Sequence, residues 1–257
     1  MTSIQFPGSA QAHETRVSAS RILDLIIATT ALALFCPIML WAALAVWIDS
    51  GRPILFSQVR LGRRGQHFRI YKFRKFYKES GAAGGPLTMK NDARMTRTGR
   101  LLRKTKFDEL PQLWNVLKGD MSIVGPRPES LDFSDCFTGA YLKVLHYKPG
   151  IFGPSQVFFR DEDSLYPENS DPKRFYRDVL FPLKANIDLA YFPHRTIFSD
   201  IGWIIRGVLA VFGCRSLPPP GVPAGSSPED WIVAKPTEAV GGCLSRNASG
   251  RDLLSEG

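Results

Sequence analysis

From Leu25 to Ile48 the chain runs for 24 residues without a charged side chain. About 20 apolar residues suffice for a helix to cross a bilayer, so this run is long enough to do so. It is too long and starts too far in for an ordinary signal peptide, and no small-residue cleavage site follows it. A buried helix of a soluble core gives the same pattern and is the competing reading. Two features argue against a straight crossing. Pro37 falls mid-run, where it removes a backbone hydrogen bond and crowds the preceding turn. Arg16 and Arg21 precede the run, and Arg52, Arg60, Arg63 and Arg64 follow it. Lys and Arg beside membrane segments prefer the cytoplasmic side, so both ends ask for the same side. The pattern predicts a re-entrant helix over residues 21–50, kinked or broken at Pro37, with Asp24 at the interface rather than in hydrocarbon.

Downstream the periodicity changes. PILFSQVRLG and QHFRIYKFRKF carry aromatic and β-branched residues on either side of Arg63-Arg64-Gly65, which predicts a short β-hairpin. Gly81 to Pro86 reads as a mobile loop. Helical patterns follow at Thr98 to Leu102 and at Asp108 to Lys118, the second with Leu110, Leu113, Trp114 and Leu117 on one face and Gly119 to end it. Further helices are expected over Lys173 to Leu189 and Ile201 to Phe212. The last is apolar and fits either a core helix or an amphipathic helix lying in a membrane interface. From Ser216 the composition turns to Pro, Gly and Ser. The expected organisation is a disordered lead over 1–20, the membrane helix over 21–50, a compact domain over 51–215 and a disordered tail over 216–257. The fold class is α+β, mainly helical.

Charge narrows the choice of partner. The formal net charge is +9, and between Arg52 and Lys106 sixteen Lys or Arg face only Glu79 and Asp92. Such an excess favours nucleic acid, anionic lipid or phosphorylated substrates. Nucleic acid explains the charge but not the hydrophobic run, and no reader motif is present. Cys36, Cys136, Cys214 and Cys243 show no metal-ligand or redox spacing and read as reduced and incidental. The four histidines are equally scattered and support no metal site.

Candidate chemistry concentrates between Arg100 and Glu129. Asp108 is a good helix N-cap and Pro111 is tolerated in a first turn, so a helix starting at Asp108 would place Asp108 and Glu109 at its electropositive end. Arg103, Lys104 and Lys106 come immediately before, and Arg127 is held between Pro126 and Pro128. Two carboxylates among cations suit phosphoryl chemistry: cations neutralise phosphate oxygens while a carboxylate attacks or holds a divalent metal. A capped helix with an ordinary surface acidic pair fits the same residues.

The chain resembles the bacterial sugar transferases, monotopic phosphoglycosyl transferases that start glycan assembly on undecaprenyl phosphate. The likeness runs over about residues 20 to 212. It begins with Arg21-Ile-Leu-Asp24 before a proline-broken apolar segment, then Phe56-x-Gln58-x-Arg60-x-Gly62, Tyr71-Lys72-Phe73-Arg74 and Gly99-Arg100-x-Leu-Arg103. It continues through Asp108-Glu109-Leu-Pro-Gln112, Asn115, Gly-Asp120 and Pro126-Arg127-Pro128-Glu129 to Lys148-Pro149-Gly150-Ile151. The resemblance implies that Asp108 is the nucleophile on a nucleotide-sugar diphosphate, assisted by Glu109 and by magnesium held at Asp108. A phosphosugar-aspartyl intermediate would pass to the polyprenyl phosphate with release of nucleoside monophosphate. Arg103 and Arg127 match positions around the phosphates, and Lys72 and Asp200 occupy family motifs on the substrate side. The resemblance places a cytoplasmic catalytic domain on the inner membrane, in contact with membrane lipid and with later glycosyltransferases of a polysaccharide pathway as possible partners. The lack of a multi-spanning region before Arg21 is similar to the compact form of the family. Cys36-Pro37 stands where Ser-Pro is frequent, and Lys75-Phe76 where Thr-Met is common. The competing function is a catalytically silent membrane-surface module that attracts anionic lipid, which needs neither Asp108 nor Glu109.

Overall fold

The computed structural model describes residues 14–78, 87–89, 92–167, 170–213, 219, 222 and 227–234. Its first element, α1 (Glu14–Ser50), is one helix of 37 residues. Helix therefore begins inside the expected lead, and Pro37 does not break it. The missing proline N–H costs one bond, to the carbonyl of Ala33, on an exposed stretch of the helix. The part from Ala19 to Ser50 is long and apolar enough to cross a membrane. Leu34, Leu40 and Trp41 point outward, while Ala28, Ala42 and Val46 are buried against the rest of the chain.

The predicted hairpin is present: β1 (Leu55–Leu61) pairs antiparallel with β2 (His67–Phe73), from Leu55 opposite Phe73 to Leu61 opposite His67. The expected loop at Gly81 to Pro86 lies outside the described residues. Helix α2 (Arg97–Thr105) is capped by the Thr96 side chain, which accepts from the Gly99 N–H. Helix α3 (Gln112–Lys118) ends at Gly119, as expected, but its buried face carries Gln112, Leu113, Asn115 and Val116, while Trp114 points out. Strands β3 (Ser122–Val124) and β4 (Gly150–Phe152) form a parallel pair that periodicity did not reveal. After α4 (Pro154–Phe158), the expected long helix is α5 (Pro172–Phe175), a π-turn over Tyr176–Leu180 and α6 (Phe181–Tyr191). Helix α7 (Ile197–Val211) sends Trp203 and Ala210 into the core, while Phe198 and Ile205, and Phe212 just after its end, are exposed. Helix α8 (Pro228–Ala234) falls inside the expected tail.

Both ends of α1 are tied to this one domain. Near its start, Arg21 donates to the carbonyls of Val116 and Leu117 at 2.6 and 2.8 Å, in the last turn of α3 where carbonyls run out of helical partners. Asp24 is buried against the domain, accepting from the Ser122 hydroxyl and the Ile123 N–H at 2.9 and 2.8 Å. At its finish, Asp49 accepts from the Thr98 N–H at 2.7 Å and Arg74 donates to the Gly51 carbonyl at 2.8 Å. Ala28 shares a core with Leu113, Val116, Met121, Ile123 and Trp203, and Ala42 and Val46 share one with Phe73 and Leu102.

Candidate active site

Four segments converge on one cavity of about 870 Å³, whose lining includes Lys72, Lys75, Arg103, Asp108, Glu109 and Arg127. Strand β2 and the residues after it deliver Lys72 and Lys75. The backbone of Lys75 is pinned because its carbonyl accepts from the Thr96 N–H at 2.9 Å. Helix α2 packs so closely there that a Cβ on Gly99 would sit 2.1 Å from that carbonyl oxygen. Arg127 follows β3, at whose end a Cβ on Gly125 would lie 2.1 Å from the Lys148 carbonyl oxygen, just before β4. Only glycine permits that approach, and it sets the start of the Pro126-Arg127-Pro128 segment.

Asp108 and Glu109 do not open α3. They lie on a 3-10 turn, Phe107–Glu109, entered through Lys106 in the left-handed region at φ 59° and left through Leu110 and Pro111, so α3 starts at Gln112. Asp108 makes no capping bond, and the expected contribution of a helix N-terminus falls away. Side-chain cations take its place. Lys72 Nζ donates to Glu109 Oε1 at 2.6 Å, Arg127 Nη2 lies 3.9 Å from the same oxygen, and Lys75 Nζ lies 4.0 Å from Asp108 Oδ2.

These contacts set the carboxylates apart. Burial raises the pKa of Asp108 above the ordinary carboxylate value, and Lys75 only partly opposes it. Burial acts on Glu109 too, but Lys72, Arg127 and Lys106 outweigh it and hold its carboxyl well below the usual range. Burial lowers Lys72, against the pull of Glu109, and brings the Lys75 amine down to about 8, against Asp108. Asp108 is 3% exposed, and its Oδ1 has no hydrogen-bond partner among the described residues. The buried, unpaired oxygen is set in a cationic pocket, unlike a solvated surface pair.

Of the residues expected from sequence, the structure brings Lys72, Arg103, Asp108, Glu109 and Arg127 to one cavity. Arg103 reaches it from α2 while paired with Asp163. Asp200 is not in that lining. It is buried in the first turn of α7, accepting from Tyr191 at 2.8 Å and from Arg195 at 2.6 and 3.1 Å, so its charge is balanced by a structural partner. Lys75 was not singled out by the sequence, whose run of cations does not say which one meets the dyad. Nor was Asn115, fully buried, which accepts from the Tyr71 N–H at 3.1 Å and donates to the Arg69 carbonyl at 2.7 Å, fixing β2 one residue before Lys72.

Among the described residues no three His, Cys, Asp or Glu side chains gather as a metal cluster. Magnesium, however, commonly takes only one or two protein carboxylates and completes its shell with water and substrate phosphate. The free Oδ1 of Asp108 fits that mode.

The family model for bacterial sugar transferases matches residues 15–214. The chain is 36% identical over 201 residues to the UDP-N-acetylgalactosamine-undecaprenyl-phosphate N-acetylgalactosaminephosphotransferase of Aeromonas hydrophila, covering 76% of this chain and 44% of that one. It is 41% identical over 140 residues to the UDP-glucose:undecaprenyl-phosphate glucose-1-phosphate transferase of Caulobacter vibrioides, covering 53% of this chain and 52% of the relative. The uncharacterized sugar transferase EpsL of Bacillus subtilis is 42% identical over 161 residues, covering 63% of this chain and 76% of EpsL. The matched region thus spans about half the length of the first and second of these relatives. It contains every residue of the cavity described above, and the chain belongs to the bacterial sugar transferase family.

Proposed function

We propose that this chain is a phosphoglycosyl transferase that moves a sugar-1-phosphate from a UDP-sugar to undecaprenyl phosphate at the cytoplasmic face of the bacterial inner membrane, releasing UMP. The observation that carries this reading is the buried Asp108, with a free Oδ1, in a cavity walled by Lys72, Lys75, Arg103 and Arg127. Attraction of anionic lipid needs no such group. In the first step an Asp108 oxygen attacks the phosphorus that bears the sugar. The bond from that phosphorus to the bridging oxygen breaks, and UMP leaves with the electron pair. A phosphate oxygen of undecaprenyl phosphate then attacks the same phosphorus, and the carboxylate of Asp108 is restored. The product is undecaprenyl diphosphate sugar, a substrate for glycosyltransferases that extend a polysaccharide.

Attack on an anionic phosphorus needs the charges of nucleophile and target offset in a place that excludes water. Lys75 and Lys72 serve the Asp108 side, and Arg103 and Arg127 offer planar forks suited to phosphate oxygens. Glu109, bound to Lys72 and near Arg127, is occupied as a counter-ion that fixes both cations. Asp108 would hold a magnesium ion, which would supply positive charge to offset that of the reacting phosphate. The re-entrant topology belongs to this proposal, supported by the tethering of both ends of α1 to the same domain.

Membrane fractions supplied with a panel of nucleotide-sugars should release nucleoside monophosphate only when polyprenyl phosphate and wild-type enzyme are both present. Asp108→Asn should lose this and the half-reaction, while Glu109→Gln retains a weak half-reaction. Mass spectrometry of enzyme trapped without polyprenyl phosphate should find the phosphosugar on Asp108. An adduct on Glu109, or turnover with no adduct, would overturn the mechanism.

A further inference from the structure

Beyond the dyad the cavity lining also holds Glu129, Glu162, Tyr176 and Lys184, none of which the proposed steps use. Lys184 comes from the first turn of α6 and is buried. Its Nζ donates to Glu162 Oε2 at 2.6 Å and to the Tyr176 hydroxyl oxygen at 3.3 Å. Because that oxygen accepts from an ammonium, which has donors only, the hydroxyl proton turns to Glu129 Oε1, 2.7 Å away. One buried cation thus engages one acid directly and orients the hydroxyl that engages the other. The remaining oxygen of Glu162 accepts from the Tyr166 hydroxyl at 2.9 Å.

We propose that Lys184 is a positioning residue: by holding Glu162 directly and Glu129 through Tyr176, it keeps both carboxylates off Arg127 and leaves that guanidinium free for substrate phosphate. The inference rests on the phosphoglycosyl reading, which assigns Arg127 to the phosphates. Among the described residues Arg127 pairs with Glu109 alone, at 3.9 Å, beyond hydrogen-bond length, so its fork is uncommitted. Both acids nevertheless act on it: burial works to lower its pKa, and Glu109, Glu162 and Glu129 outweigh that effect. Burial works to raise the Glu162 carboxyl, but Lys184 first and Arg127 second hold it below its ordinary value. Arg127 is therefore next in line for Glu162. A carboxylate and a phosphate suit the same planar fork, and a carboxylate deprived of its cation away from water is costly, so without Lys184 the acid would draw Arg127 to itself. The same turn shows that outcome one residue on, where no lysine intervenes: Asp163 pairs with Arg103.

The test is calorimetric binding of UDP, as the probe, to the full-length protein in detergent. Lys184→Met should weaken binding about tenfold or more, as expected for loss of a charge-assisted hydrogen bond to phosphate. Adding Glu162→Gln to that variant should restore most of the affinity, and Lys184→Arg, which keeps the cation, should retain it. In an Arg127→Met background, where the fork is gone, Lys184→Met should cost little more, because the two residues act as one unit. Should Lys184→Met fail to fold, Lys184→Gln, which offers Glu162 a donor without the charge, takes its place. No rescue by Glu162→Gln, or losses that add in Arg127→Met, would show that Lys184 acts on UDP without Arg127 and would overturn the proposal. Either result alongside intact UMP release would leave the phosphoglycosyl reading standing, whereas a wild type that does not bind UDP would remove both.

Discussion

At the residue scale, Lys75 brings a second half-buried cation to the dyad, 4.0 Å from Asp108, in addition to the Lys72 that pairs with Glu109. Lys75→Met keeps much of the side-chain volume and removes the charge. It should lower turnover by about tenfold or more through lost electrostatic stabilisation, with little change in thermal unfolding; parallel losses of both would make Lys75 structural. A different buried acid makes a stability prediction. Asp188 accepts from the Ser155 hydroxyl at 3.0 Å, its Oδ1 has no partner among the described residues, and burial, partly opposed by Ser155, raises its pKa to about 7. The folded state then holds a proton that the unfolded state releases near pH 4, so stability is greatest at low pH and falls as pH rises toward 7. Denaturant unfolding should show a loss of about 2 kcal/mol between pH 5 and pH 7 from this group. Asp188→Asn should flatten that part of the profile, and an unchanged slope would refute it. The dyad, Lys72, Arg103 and Arg127 were legible because the motif fixes their order along the chain. Lys75 was hidden in a run of cations, and the sequence did not show that Asp200 is buried against Arg195 outside the cavity lining.

At the scale of elements, the site depends on how β2 meets α2 and α3. Asn115→Ala would strand the Tyr71 N–H and the Arg69 carbonyl. Each unsatisfied buried group costs about 1–3 kcal/mol, so a loss of roughly 2–6 kcal/mol is expected by chemical denaturation, with turnover falling as Lys72 loses its register. Gly99→Ala should be more disruptive than an ordinary helix substitution, because a Cβ 2.1 Å from the Lys75 carbonyl oxygen forces the backbone apart. Wild-type activity and melting temperature in that variant would show that the two segments can separate freely. The hairpin and the α2, α6 and α7 helices were readable, since turn chemistry and several turns of periodicity announce them. The α3 face was misread, with Trp114 placed inside, because a helix of seven residues completes too few turns to fix its orientation. The β3–β4 pair consists of three-residue strands and is recognisable only from the partner across the fold.

For the whole molecule, the governing fact is that α1 begins and ends on the same body. Cysteines introduced as Ala19→Cys and Arg52→Cys should both be labelled from the cytoplasmic side of sealed vesicles; labelling from opposite sides would exclude the re-entrant arrangement. The basic residues on both flanks led to the expectation of a re-entrant helix bent at Pro37. Helix α1 runs through Pro37 without a break. Contacts of Arg21, Asp24, Asp49 and Arg74 tie both ends of α1 to the same domain. Those tethers have a practical consequence for preparing the enzyme. A protein cut at Gly51 to remove its greasy anchor would expose Leu113, Val116, Phe73 and Leu102 and leave the last carbonyls of α3 without Arg21. Such a fragment should aggregate rather than dissolve, because α1 is also one wall of the enzyme, and the helix must stay on the protein through every step of purification.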